Sequence, residues 1–143
     1  MPRFTREVLV HAPPSRVWRL LVEPAERARW LTSMREEPSE GGPLTLGTRI
    51  PGRRTAPGSR SHYASVVTRL DEGRALELTL HRNHDPAGKG GYALEPAEGG
   101  TRVTAFAEYE LTGLLKLLGP AIATGLQQEL ERDLASLKRV AES

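Results

Sequence analysis

Residues 120–141, PAIATGLQQELERDLASLKRVA, decide how the rest of the chain must fold. Apolar side chains recur there at Ile122, Leu126, Leu130, Leu134, Leu137 and Ala141. Steps of three and four place them on one stripe of an α-helix. Glu129, Glu131, Arg132, Lys138 and Arg139 take the remaining surface. Gly119–Pro120 suits the start, because proline lacks the N–H that a first helical turn leaves unpaired. At about 1.5 Å per residue the helix is roughly 30 Å long. An apolar stripe of that length needs a wide apolar receiver, and the upstream residues supply it as strands.

Phe4 to Val10 alternates, with Phe4, Val8 and Val10 on one side of a half-buried strand. Ala12–Pro13–Pro14–Ser15 stops it, since proline cannot extend a sheet ladder. Val17, Leu20 and Leu21 form the apolar side of a short helix, with Trp18 on its flank. Pro24 breaks that helix and opens a second short one to Arg29, ended by Trp30–Leu31. Met34 to Glu37 is a strand candidate, and Ser39 to Pro43 is a turn by composition. Leu44 to Arg53 reads as a strand with Gly47 as a bulge, and Arg54 to Arg60 as a basic loop.

Ser61 to Leu70 puts His62, Ala64, Val66, Thr68 and Leu70 on one face of a strand. Asp71–Glu72–Gly73 closes a hairpin. Arg74 to Arg82 alternates most cleanly, with Leu76, Leu78 and Leu80 opposite Glu77, Thr79 and His81. Asn83 to Gly88 reads as a polar loop, and the Gly41–Gly42 and Gly88–Gly91 tracts as hairpin turns. Lys89 to Pro96 is a strand with Tyr92 and Leu94 in phase. Thr101 to Leu111 is the last strand, with Val103, Ala105, Ala107 and Tyr109 sharing a face. If that phase is reversed, Glu108 faces inward instead. Leu114 to Leu118 is an apolar turn before the long helix.

The order is strand, two short helices, about six strands in tight hairpins, then one long helix. Hairpins imply an antiparallel sheet. A sheet of about seven strands must curl to cover a single long helix. The expected class is α+β, one domain over residues 1–143.

The 143 residues contain no cysteine, which excludes disulfides, thiolate metal sites and cysteine nucleophiles. Twenty basic against eighteen acidic residues leave a net charge of +2. That is too little to indicate a nucleic-acid binder, and no aromatics interleave with the arginines before Tyr63. No run approaches the ~20 apolar residues needed to span a bilayer. No secretory signal is visible, so a cytoplasmic location is expected. No phosphate-cradling loop is present and no cofactor is expected. His62, His81, His84 and Asp85 do not share one face, so no metal site is expected.

Several segments resemble a known family. Ala12–Pro13–Pro14–Ser15–Arg16–Val17–Trp18 is similar to the alanine-proline, then valine-aromatic opening of the START-like polyketide cyclase/dehydrase superfamily. Pro24 to Trp30 resembles its second short helix and closing tryptophan. Gly47–Thr48, Val67–Thr68–Arg69–Leu70 with Gly73–Arg74–Ala75–Leu76, and Gly99–Gly100–Thr101–Arg102–Val103–Thr104 resemble its later strands. The leucine-rich close, Leu134 to Lys138, fits its last helix. The resemblance implies a helix-grip fold, in which the sheet grips the helix around an internal cavity. Members bind lipids, sterols, polyketides, quinones or plant hormones, and some catalyse cyclisation or dehydration. No universal catalytic motif carries over, so the catalytic residues stay unassigned and fold gives function only by analogy.

A ligand cavity should be mostly apolar with a few orienting polar groups. Polar residues sharing a face with the core are His62, Arg82, Tyr92 and Tyr109, with His84 continuing the phase of Arg82; Trp30 either packs under the helices or lines the pocket mouth. Gly125, beside Ala121 and Ala123, could leave room against the helix. The leading expectation is binding of a hydrophobic small molecule by a monomer or homodimer that does not insert stably into membranes. The alternatives are a cyclase or dehydratase using His62, Arg82 or Glu108 as acid or base, or a protein-interaction module with a filled interior.

Overall fold

The computed structural model describes residues 3–38, 41–55, 61–109 and 119–143. β1 (Arg3–Val10) is followed by α1 (Pro14–Val22) and α2 (Pro24–Trp30). Then come β2 (Met34–Glu36), β3 (Arg49–Arg54), β4 (Tyr63–Asp71), β5 (Ala75–Arg82), β6 (Asp85–Ala97) and β7 (Gly100–Tyr109). α3 (Gly119–Glu142) comes last. The strands form one sheet in the order β1-β7-β6-β5-β4-β3-β2. Every neighbouring pair is antiparallel.

The sheet curls into a half-barrel, as the single long helix requires. Register shifts lie between Val67 and Arg69 of β4, and opposite Leu80 and His81, where Ala87 of β6 is the extra residue. Such irregularities bend a strand and increase its twist. β1 closes onto β7 in unbroken register, from Arg3 opposite Glu108 to Val10 opposite Thr101.

The helical stripe packs as its spacing requires. Leu126, Leu130, Leu134, Leu137 and Ala141 are buried, and Ile122 packs against the same core. α3 lies against β1, β7, α1 and α2. Each fully buried leucine contributes roughly 1.5–3 kcal/mol. The two short helices share Glu23: its N–H closes α1 on the Arg19 carbonyl, and its own carbonyl receives the Arg27 N–H of α2. Trp30 is fully buried and its indole N–H donates to the Leu20 carbonyl at 2.6 Å.

Three expectations are corrected. The loop expected at Asn83 to Gly88 is a two-residue turn, with positive φ at Asn83 (50°) and His84 (75°). β6 therefore starts at Asp85, and Gly88 to Gly91 lie inside it as strand. Glycine is needed there for close approach: a Cβ on Gly88 would sit 2.3 Å from the Glu108 carbonyl oxygen. β3 starts at Arg49, after a turn in which Gly47 has φ of +88° and the Thr48 N–H meets the Thr45 carbonyl. Arg54 belongs to β3 and pairs with Glu129 of α3 instead of lying in a solvated loop. The rest of that loop (56–60), the start of the turn at Ser39 and the apolar turn at Leu114 to Leu118 lie outside the described residues. Among the described residues no helix is long and apolar enough to cross a membrane.

Candidate functional site

A cavity of about 130 Å³ lies between the inner face of the sheet and α3. It exists because small residues meet there. Leu78 of β5 stands opposite Gly90 of β6, and Gly90 stands opposite Ala107 of β7. With no side chain on Gly90 and one methyl on Ala107, the sheet leaves space under the helix. Leu31, Met34, Leu78, Leu80, Ala107 and Leu130 supply the apolar wall.

The opposite wall is polar, and almost all of it is tied. Arg27 of α2 is 3% exposed. Its Nε and Nη2 donate to the Glu36 carboxylate at 2.8 and 2.9 Å, and Nη1 donates to the Leu21 carbonyl at 2.8 Å. Burial alone would lower the pKa of this guanidinium; the charge and hydrogen bonds of Glu36 outweigh it and raise it. Arg54 reaches both oxygens of Glu129 through Nη2 alone. Its pKa is also raised, burial being outweighed by Glu129. Asp133 of α3 is 4% exposed and accepts four bonds. They come from the Thr32 N–H (2.8 Å), Thr32 hydroxyl (2.6 Å), Ser33 N–H (3.1 Å) and Ser33 hydroxyl (2.5 Å).

Tyr92 differs. Its ring meets Trp30 edge-on, with centroids 5.6 Å apart and planes at 86°. The side chain lines the cavity at 9% exposure. Among the described residues its hydroxyl makes no hydrogen bond, and no fully enclosed polar side-chain atom lacks a partner. The free hydroxyl therefore borders open space. Burial raises its pKa, and the nearby negative charge of Asp133 raises it further. Tyr109, on the same lining, is raised chiefly by burial, with Arg54 opposing.

Two larger hollows adjoin the cavity. An outer cleft of about 850 Å³ runs between α2, β2 and residues 41–51. It shares Arg27, Leu31, Met34 and Glu36 with the inner cavity. A groove of about 580 Å³ follows the outer side of α3.

Of the six candidate residues, Trp30, Tyr92 and Tyr109 come together. Tyr92 and Tyr109 line the cavity, and Trp30 packs beneath Tyr92. His62 does not join them: it is exposed and precedes β4. The inner face of β4 carries Ser65 and Val67, opposite Leu80 and Leu78, so the phase expected for His62 is shifted by one. Arg82 is exposed at the hairpin end, beyond the irregularity after Leu80, and His84 is exposed in the turn itself. Gly125 is exposed and borders the outer groove of α3. Val103, Ala105 and Ala107 are buried, so the last strand has the forward phase. Glu108 is then on the outer face, bonded to Arg3 with Lys89 at 3.7 Å. The Arg3 hydrogen bond lowers its pKa. None of the three acid–base candidates lines the cavity.

Arg27, Glu36, Arg54, Glu129 and Asp133 stand at the cavity or are bonded to its lining without having been candidates. Two left a signal. Asp133 is three residues after Leu130 and four before Leu137, which puts a carboxylate on the apolar stripe. Arg27 is three residues before Trp30 on the same helical face. Their partners lie on other elements and leave none.

The chain is similar to several solved structures. Protein CV1439 from Chromobacterium violaceum matches with a TM-score of 0.75 at 17% identity, covering 100% of this chain and 99% of that one. Protein Ms6760 from Mycobacterium smegmatis matches with a TM-score of 0.75 at 16% identity, covering 96% and 89%. The Aha1 dimer from Colwellia psychrerythraea matches with a TM-score of 0.74 at 18% identity, covering 99% and 97%. Identities this low show the shared fold alone. No curated protein matches the chain. The family model described as polyketide cyclase / dehydrase and lipid transport matches residues 1–142. With that match over nearly every residue, on the curled sheet and gripped helix described above, the chain belongs to the polyketide cyclase / dehydrase and lipid transport family.

Proposed function

We propose that this protein binds a hydrophobic small molecule, such as a lipid, quinone or polyketide, in the hollow between the sheet and α3. Storage, transport or sensing of that molecule would follow from binding alone. One observation carries the reading: an open space with an apolar wall and a free phenolic hydroxyl at its polar end. Residues that merely pack would not leave Gly90 and Ala107 facing a void. The volume also constrains the guest. An apolar cavity of about 150 Å³ holds one benzene, so about 130 Å³ admits a single ring or a short chain end. Most ligand pockets enclose roughly 300–1,000 Å³. A larger guest would extend past Leu31 and Met34 into the outer cleft, which touches the same side chains.

Thermal unfolding with a panel of lipids, quinones and aromatic polyketones tests this. A ligand at a hundredfold excess over its Kd stabilises by about 2.7 kcal/mol, a rise of several degrees in Tm. Ala107→Leu should fill the cavity and abolish the shift while the unliganded protein keeps its circular dichroism spectrum. No shift across the panel, or the same shift in Ala107→Leu, would overturn the proposal.

A further inference from the structure

We propose that the inner cavity selects guests whose inserted end is a neutral hydrogen-bond acceptor, a ring-sized ketone or quinone carbonyl, over carboxylates and ammonium groups. This rests on the reading that the hollow binds a small molecule, and adds the chemical class of its head.

The cavity lining and its bonded partners hold three cations, Arg27, Arg54 and Lys89, and four anions, Glu36, Glu108, Glu129 and Asp133. Arg27 holds Glu36 on its Nε–Nη2 fork, Arg54 holds both oxygens of Glu129 through Nη2, and Lys89 is paired with Glu108 on the outer face of the sheet. Asp133 is covered by four donors from Thr32 and Ser33. Three positive charges against four negative leave one negative in excess. A fatty-acid carboxylate would add a second, with no uncommitted cation to meet it. Burying an ion without a partner is the most costly desolvation a site can impose. An ammonium would have the right sign, but it needs acceptors, and the carboxylate oxygens there already accept from arginine, threonine or serine. Inserting it would break bonds that hold α2, β2 and α3 together.

A carbonyl asks for one donor only. Tyr92 has one to give: its hydroxyl borders the cavity and makes no hydrogen bond among the described residues. Burial and Asp133 keep it a phenol, so it donates across the ordinary pH range. The volume of about 130 Å³ matches a ring bearing that carbonyl, and the fixed Trp30–Tyr92 contact holds the donor in place.

The test is calorimetric titration of three compounds with one body: 4-phenylcyclohexanone, 4-phenylcyclohexanecarboxylate and 4-phenylcyclohexylammonium, at pH 7.5. The ketone should bind at least tenfold more tightly than either ion. Tyr92→Phe, which keeps the ring on Trp30, should weaken the ketone about five- to tenfold, the loss expected for one hydrogen bond. It should leave the two ions unchanged. Either ion binding as tightly as the ketone, or a ketone affinity untouched by Tyr92→Phe, would overturn the selectivity and leave the binding proposal standing. Absence of binding by all three and by the wider panel would remove both.

Discussion

Asp133 shows at the scale of one residue how a long helix is fixed to a short connection. Its two oxygens take every donor that Thr32 and Ser33 present. Removing the carboxylate leaves two backbone N–H groups and two hydroxyls without it. Unsatisfied buried donors cost about 1–3 kcal/mol each at most, and relaxation recovers part of that. Asp133→Ala should therefore lower unfolding stability by about 2–4 kcal/mol in urea titration. Asp133→Asn, which keeps the oxygen that accepts three of the four bonds, should lose less. A loss under about 0.5 kcal/mol for Asp133→Ala would place it among ordinary surface changes and contradict the tie. This residue was half legible in the sequence. Helical spacing put it on the stripe; nothing local announced a partner a hundred positions away. Arg27 is the same case, set by its distance from Trp30 and completed by Glu36.

At the scale of elements, periodicity is legible in the sequence and punctuation is not. The α3 stripe and the Leu76–Leu78–Leu80 strand obey fixed periods, and both stand where those periods put them. Gly88 to Gly91 look like a turn in the sequence because glycine usually marks one. In β6 they serve close strand approach and leave the floor of the cavity bare, and composition alone does not separate those uses. An alternating run does not reveal the register shift in β4, which puts Leu70 and His62 on opposite faces. The far end of α3 is tied by charge. Glu142 accepts from the His11 N–H at 2.8 Å and from Lys138 Nζ at 2.6 Å. The His11 bond, then that of Lys138, lowers its pKa from 4.5. In the unfolded chain Glu142 keeps the ordinary value, so below it the unfolded state holds more protons and stability rises with pH. The contribution is complete above pH 4.5 and is lost as pH falls through the lowered folded value. Glu142→Gln should flatten the acid limb of a plot of denaturation midpoint against pH. Superimposable limbs for the two proteins would refute this assignment.

At the scale of the whole molecule, the order of elements carried the architecture. One strand, two proline-started helices, a run of hairpins and a long amphipathic helix admit few arrangements. The curled seven-stranded sheet around α3 is the one that buries the stripe. The hollow was expected only through family resemblance. Its walls depend on which small residues of three neighbouring strands fall side by side, and register sets that. Gripping a helix with a sheet leaves a seam, and here the seam is lined by Leu78, Leu80 and Leu130 on one side and Tyr92 on the other. The most direct measurement is a crystal structure with a bromine-labelled 4-phenylcyclohexanone, located by its anomalous signal. The carbonyl oxygen should lie about 2.7 Å from the Tyr92 hydroxyl, with the body of the molecule against Leu78 and Leu130. A ligand confined to the outer cleft, with the space beneath α3 closed by side chains, would contradict it.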